Sequence, residues 1–151
     1  MSMGLRCRFD RDPRWKDTVV EAARLGWIIV YVPDVVTALD FYERAFGLRR
    51  TFVNAAADFG QLDTGQTALS FAGRARAEHE IGGAYQLPDP EADPFNIEIC
   101  LVFDDPVVAF RHAVDTGCES VVEPSAKPHG QTTGFLRDPW GTLIEIASPL
   151  T

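Results

Sequence analysis

Two short apolar runs that each end in an aspartate set the rhythm of this chain. Trp27-Ile-Ile-Val-Tyr-Val-Pro-Asp34 and Glu98-Ile-Cys-Leu-Val-Phe-Asp-Asp105 overlay residue for residue, and a helical stripe follows each. In the first, Asp34 stands as cap, Val35, Leu39, Tyr42 and Phe46 share one face, and Gly47 marks the exit. In the second, Asp105 caps, Pro106 takes the first helical position, Val107, Phe110, Ala113 and Val114 make the stripe, and Gly117 ends it. Further on, Asp63-Thr-Gly-Gln-Thr-Ala-Leu-Ser-Phe71 overlays Asp138-Pro-Trp-Gly-Thr-Leu-Ile-Glu-Ile146, a turn feeding a final strand. The pattern predicts an α+β chain of two tandem β-α-β-β-β modules. They span 26–72 and 95–151, with an N-terminal extension over 1–25 and a linker over 73–94. The linker, Gly- and Pro-rich with mixed charge, reads as a mobile surface connection without a core pattern. Trp15, Val19, Ala22 and Ala23 suggest a short amphipathic helix, or an arm, ahead of the first module.

Side chains alternate across a strand, so each strand divides into two faces. Ile97, Ile99, Leu101 and Phe103 make one wholly apolar face of the strand from Asn96, suited to lie under a helix; Asn96, Glu98, Cys100 and Val102 make the other. The last strand divides Ile144 and Ile146 from Leu143, Glu145 and Ala147, and the first divides Ile28, Val30 and Val32 from Trp27, Ile29 and Tyr31. With helices over the aliphatic faces, the mixed faces line a concavity of aromatic and aliphatic groups holding two carboxylates, a composition suited to a small-molecule cleft. The alternative is a solvated face on which Glu98 and Glu145 are ordinary surface charges. The repeat favours the cleft, because Glu98 is the partner of Trp27 and Glu145 the partner of Ser70.

Composition narrows the function classes. The chain has 151 residues and ordinary globular composition, which fits one compact domain. Its 22 acidic against 14 basic residues give a net charge of −8, which disfavours nucleic acid and anionic lipid and attracts cations. Three cysteines without C-x-x-C spacing argue against a disulfide framework or zinc knuckle. The apolar runs are too short to span a membrane, and the charged N-terminus lacks a signal-peptide core, so the expected compartment is the cytoplasm.

Val30-Tyr-Val-Pro-Asp-Val35 leading to Phe41-Tyr-Glu-Arg-Ala-Phe-Gly47, together with Asp138-Pro-Trp-Gly-Thr-Leu-Ile-Glu-Ile146, resembles the vicinal oxygen chelate superfamily over roughly residues 26 to 148. That superfamily includes glyoxalase I, extradiol dioxygenases and bleomycin-resistance binding proteins. The resemblance implies a half-open eight-stranded cup, often built or completed across a homodimer. In metal-dependent members, ligands stand at places that here hold Trp27, Ser70, Glu98 and Glu145. Glu145 matches a glutamate such enzymes keep, and Glu98 is an oxygen donor where histidine is usual, but Trp27 cannot ligate and Ser70 is a poor neutral ligand. Two carboxylates without imidazole do not make an extradiol iron site.

The expected site is therefore metal-free, a ligand-binding set of Trp27, Tyr31, Ser70, Glu98, Cys100, His129, Gln131 and Glu145. Its expected ligand carries a cationic or planar group. The alternative is a glyoxalase-like lyase or isomerase. There Glu98 and Glu145 act as acid and base, or hold a divalent ion such as Mg²⁺, Mn²⁺, Zn²⁺ or Ni²⁺. A third reading is a decayed site acting through protein contacts. Of the histidines, His129 with Gln131 before the seventh strand is placed to touch a ligand, His112 reads as a partly buried helix residue and His79 lies in the linker. Cys100 reads as a small buried hydrophobe.

Overall fold

The computed structural model describes residues 22–150. Most of the N-terminal helix expected from Trp15 to Ala23 lies outside them, and residues 22–26 are irregular. The chain runs β1 (Trp27–Val32), α1 (Val35–Phe46), β2 (Arg49–Val53), β3 (Phe59–Asp63), β4 (Ala68–Gly73), α2 (Arg74–Ile81), β5 (Ile99–Val102), α3 (Pro106–Thr116), β6 (Glu119–Ala126), β7 (Thr132–Arg137) and β8 (Leu143–Ala147). Two four-stranded mixed sheets, ordered β1-β4-β3-β2 and β5-β8-β7-β6, form the half-open cup. In each, the first strand pairs in parallel with the last and the other pairings are antiparallel.

The helices begin and end where side-chain chemistry allows. Asp34 accepts from the Thr37 amide at 2.7 Å and Asp105 from the Val108 amide at 3.0 Å, satisfying first-turn donors that would otherwise be orphaned. Gly47 leaves α1 at φ 68°, a left-handed conformation that strains any residue with a Cβ. α1 and α3 each also lie on a glycine of their own sheet. A Cβ on Gly60 would stand 2.5 Å from Leu39, and one on Gly134 would stand 3.1 Å from Phe110. Gly60 pairs with Phe71 and Gly134 with Ile146, so the two close approaches are pseudo-equivalent.

One hydrophobic core joins the modules, holding Leu39, Tyr42, Phe71, Phe110, Leu136 and Ile146. Within it the Tyr42 hydroxyl donates to Asp138 Oδ2 at 2.8 Å, and Phe41 meets Trp140 edge to face. The turn after Asp138 is organised by its other oxygen, which accepts from the amides of Trp140 at 3.0 Å and Thr142 at 2.8 Å. Asp63 does the same more simply, accepting from the Gly65 amide at 3.1 Å.

The structure corrects four expectations. The connection over 73–94 carries α2, with Ala77 buried beneath it, because Arg76 pairs with Asp58 and Glu80 and lies over the Phe59 ring. The fifth strand starts at Ile99 rather than Asn96, so Ile97 stands ahead of the ladder, 67% exposed instead of under a helix. Cys100 is exposed, since the face it occupies is open. His112 is exposed too, its Nε2 2.7 Å from the Arg44 carbonyl at the end of α1.

Candidate functional site

The open faces of the two sheets carry different chemistry. On the second, Cys100 pairs with Glu145 across β5 and β8, which sets Glu98 two residues earlier on the same side. The two carboxyls lie close enough for the charge on Glu145 to act on Glu98. Desolvation first, then the charge and hydrogen bond of Glu145, raise the Glu98 pKa above the ordinary carboxylate range. The Cys100 thiol beside them is pushed up to about 12, by desolvation and then by its hydrogen bond to Glu145, so it stays neutral and is a poor nucleophile. Phe135 pairs with Glu145 from β7, and Arg137 with Leu143.

On the first sheet, the positions equivalent to the glutamates form a separate group. Trp27 Nε1 donates to Gln61 Oε1 at 3.0 Å, and Gln61 pairs with Ser70 on β4. Ser70 is fully buried, with no partner for its hydroxyl among the described residues. Trp27, 59% exposed, offers much of its indole to solvent, as do Ile29 and Phe52. Thus the structure brings Cys100 and Glu145 together on one sheet, with Glu98 just ahead of β5 beside them, and Trp27, Gln61 and Ser70 on the other. His129 and Gln131 stand apart in the β6–β7 turn, where they contact each other at 3.1 Å and Gln131 donates to the Ser148 carbonyl at 2.7 Å.

Between the edges of β1 and β5 lies a cleft of about 190 Å³. Tyr31, Tyr85, Phe95, Ile97, Ile99 and Leu143 are among its walls, and among the described residues none that lines it is charged. Tyr85 and Phe95 come from the segment between α2 and β5, and Tyr85 stacks edge to face on Tyr31 with centroids 4.8 Å apart. That segment is held by Arg137, which is 7% exposed. Its guanidinium donates to the carbonyls of Asp89 at 3.0 Å, Pro90 at 2.9 Å, Gly141 at 3.1 Å, and Ala92. Sequence reading singled out neither the strap nor Arg137; aromatic Tyr85 and Phe95 in a Pro-rich connection were the available signal.

A divalent metal finds a poor donor set here. Among the described residues, no three His, Cys, Asp or Glu side chains converge on a common point, and the repeat-equivalent positions of the glutamates hold indole and an alcohol. The carboxyl pair carries its own electrostatic consequence. Because Glu98 has a raised pKa in the folded chain, its contribution to stability is present below the ordinary carboxylate pKa and lost as pH rises through the raised value. Glu98→Gln should therefore raise the melting temperature at pH 7 and leave it unchanged near pH 3.5. Facing like charges cost about 0.2–1 kcal/mol, and solvent access holds this pair to the low end, a shift of about 1–2 °C. Calorimetric melts at the two pH values check this.

Residues 24–146 match the Glyoxalase/Bleomycin resistance protein/Dioxygenase superfamily, and the chain belongs to that superfamily. Among solved structures, it is similar to a glyoxalase-related enzyme from Fulvimarina pelagi, at 19% identity and TM-score 0.73 over 85% of this chain and 89% of that one. It also resembles a glyoxalase/bleomycin resistance protein/dioxygenase family enzyme from Burkholderia phytofirmans PsJN, at 20% identity and TM-score 0.70 over 83% and 98%. TioX from Micromonospora sp. ML1 overlays at TM-score 0.61 and 21% identity, over 83% and 98%. At these identities the likeness is one of fold. No curated protein matches the chain. No helix among the described residues is long and apolar enough to cross a membrane.

Proposed function

We propose that the protein binds a small cationic molecule with a planar group in its cup, as a sequestering protein of the bleomycin-resistance type rather than a metalloenzyme. The observation that carries this reading is the meeting of Glu98 and Glu145 on a face whose neighbours are aromatic and aliphatic. Two carboxyls that repel each other in a partly desolvated site gain from a counter-cation, which removes the repulsion and adds charge-assisted contacts. Exposed Trp27 adds an indole face of the kind that attracts cations. The net charge of −8 draws such ligands toward the protein. In this reading the protein works as a cytoplasmic homodimer, and the exposed Ile29, Phe52 and Val122 offer apolar area for a second copy.

Calorimetric titration with benzyltrimethylammonium tests the reading, with phenylacetate as the anionic control. Saturable binding of the cation alone is expected, weakened about tenfold or more in Glu98→Gln/Glu145→Gln. Equal binding by that double variant overturns it. A second reading draws on the raised Glu98 pKa, which suits a general base toward an acidic C–H. It predicts solvent-deuterium exchange into acetylacetone that disappears in Glu98→Gln.

A further inference from the structure

From the cleft and the carboxyl pair together, we infer that the ligand carries a neutral aromatic group of one or two rings, seated between β1 and β5, with its cationic centre about 7 Å away. The inference rests on the binding reading above and narrows it to a ligand class. Size decides the ring. At about 190 Å³, the cleft exceeds the roughly 150 Å³ cavity that accepts benzene and falls short of the roughly 300 Å³ where drug-sized pockets begin. The uncharged lining decides its polarity, because a charged ring would lose hydration there without a partner. Tyr31 and Tyr85 present aromatic edges and faces, and the Tyr85 hydroxyl, buried with no partner among the described residues, leaves one hydrogen bond for a ring heteroatom.

The spacing follows from the strand. Leu143 lines the cleft and Glu145 follows two residues later on the same face of β8, which at a rise of about 3.3 Å per residue places the carboxyl about 7 Å along. The walls stand ready before any ligand arrives. Arg137 pins Asp89, Pro90 and Ala92, between Tyr85 and Phe95, so little ordering remains to oppose binding.

Titration of the whole protein with tryptamine, indole and indole-3-propionate tests this by calorimetry. Tryptamine should bind about tenfold tighter than indole, and indole-3-propionate more weakly than either. Glu98→Gln/Glu145→Gln should bring tryptamine down to the level of indole without changing indole. Tyr85→Ala/Phe95→Ala, both outside the strands, should weaken indole about tenfold, and Ile97→Ala at an exposed position gives a second probe of the same wall. Indole binding that ignores the wall variants, or no indole binding at all, overturns the ring assignment. If benzyltrimethylammonium binding still depends on the glutamates in that case, the parent reading stands and only this inference falls. Wall-dependent indole binding with no tryptamine advantage in wild type instead overturns the cationic reading.

Discussion

Replacing Asp138 with alanine should destabilise the protein by about 3–5 kcal/mol, measured by urea denaturation, and lower its melting temperature by roughly 10 °C. Asp138 is 2% exposed and accepts from the Tyr42 hydroxyl and the amides of Trp140 and Thr142. Its removal strands three donors in the core, and each unsatisfied group costs about 1–3 kcal/mol, with partial relief as the turn relaxes. Burial pushes the Asp138 pKa up, while those hydrogen bonds act to hold it down, so part of the gain from the bonds is already spent on desolvation. For that reason the expected loss is well below the sum of three separate penalties. Tyr42→Phe removes one donor and leaves two, and should cost only about 1–2 kcal/mol. Since Tyr42 lies on α1 and Asp138 at the start of the β7–β8 turn, the pair also fixes one module on the other. A loss below about 1 kcal/mol in Asp138→Ala would mean that the modules are held by apolar packing alone.

Arg137→Met should cost about 2–4 kcal/mol and release the strap over the cleft. The guanidinium is buried among four carbonyl oxygens of Asp89, Pro90, Ala92 and Gly141, an arrangement that uses its planar fork of donors. Methionine fills a similar volume but donates nothing. Three of the four carbonyls belong to the strap and regain water once it lifts, which keeps the global cost lower than four orphaned acceptors would suggest. The larger effect is local. Hydrogen exchange over residues 83–97 should accelerate while β7 and β8 stay protected. Arg137→Lys should behave like Arg137→Met over the strap, because one ammonium cannot span four acceptors. Unchanged exchange over 83–97 in both variants would show that the strap holds itself.

The repeat made most of the fold legible. Asp34 and Asp105, each ahead of an apolar stripe, located α1 and α3, and the register of Ser70 and Glu145 against their parallel partners follows from overlaying the halves. Residues that act across the repeat were harder to read. Gly60 and Gly134 look like ordinary strand glycines until a helix is laid on them. Arg137 looks like the last residue of an exposed strand, since three of its four partners are backbone carbonyls 45 to 48 residues earlier, which no local pattern encodes. The same holds for the cleft: Tyr85 and Phe95 sit in a segment whose composition signals a loop, and only tertiary contact turns them into walls. Strand parity separated the face of Glu98 and Glu145 from the core face, whereas the pairing of Trp27 with Gln61 involves a strand that the repeat did not delimit.

The most direct measurement of the central claim is the affinity of benzyltrimethylammonium for the wild-type protein between pH 8 and pH 4. A cation is held by ionised carboxyls, and Glu98 takes up its proton above the ordinary carboxylate range, with Glu145 and the neutral Cys100 thiol as its close titratable neighbours. Affinity should be steady at high pH and fall about tenfold as pH drops through the raised Glu98 value, with the midpoint above that of a free carboxylate. An affinity that stays flat across this range would contradict the assignment of the glutamate pair as the cation site.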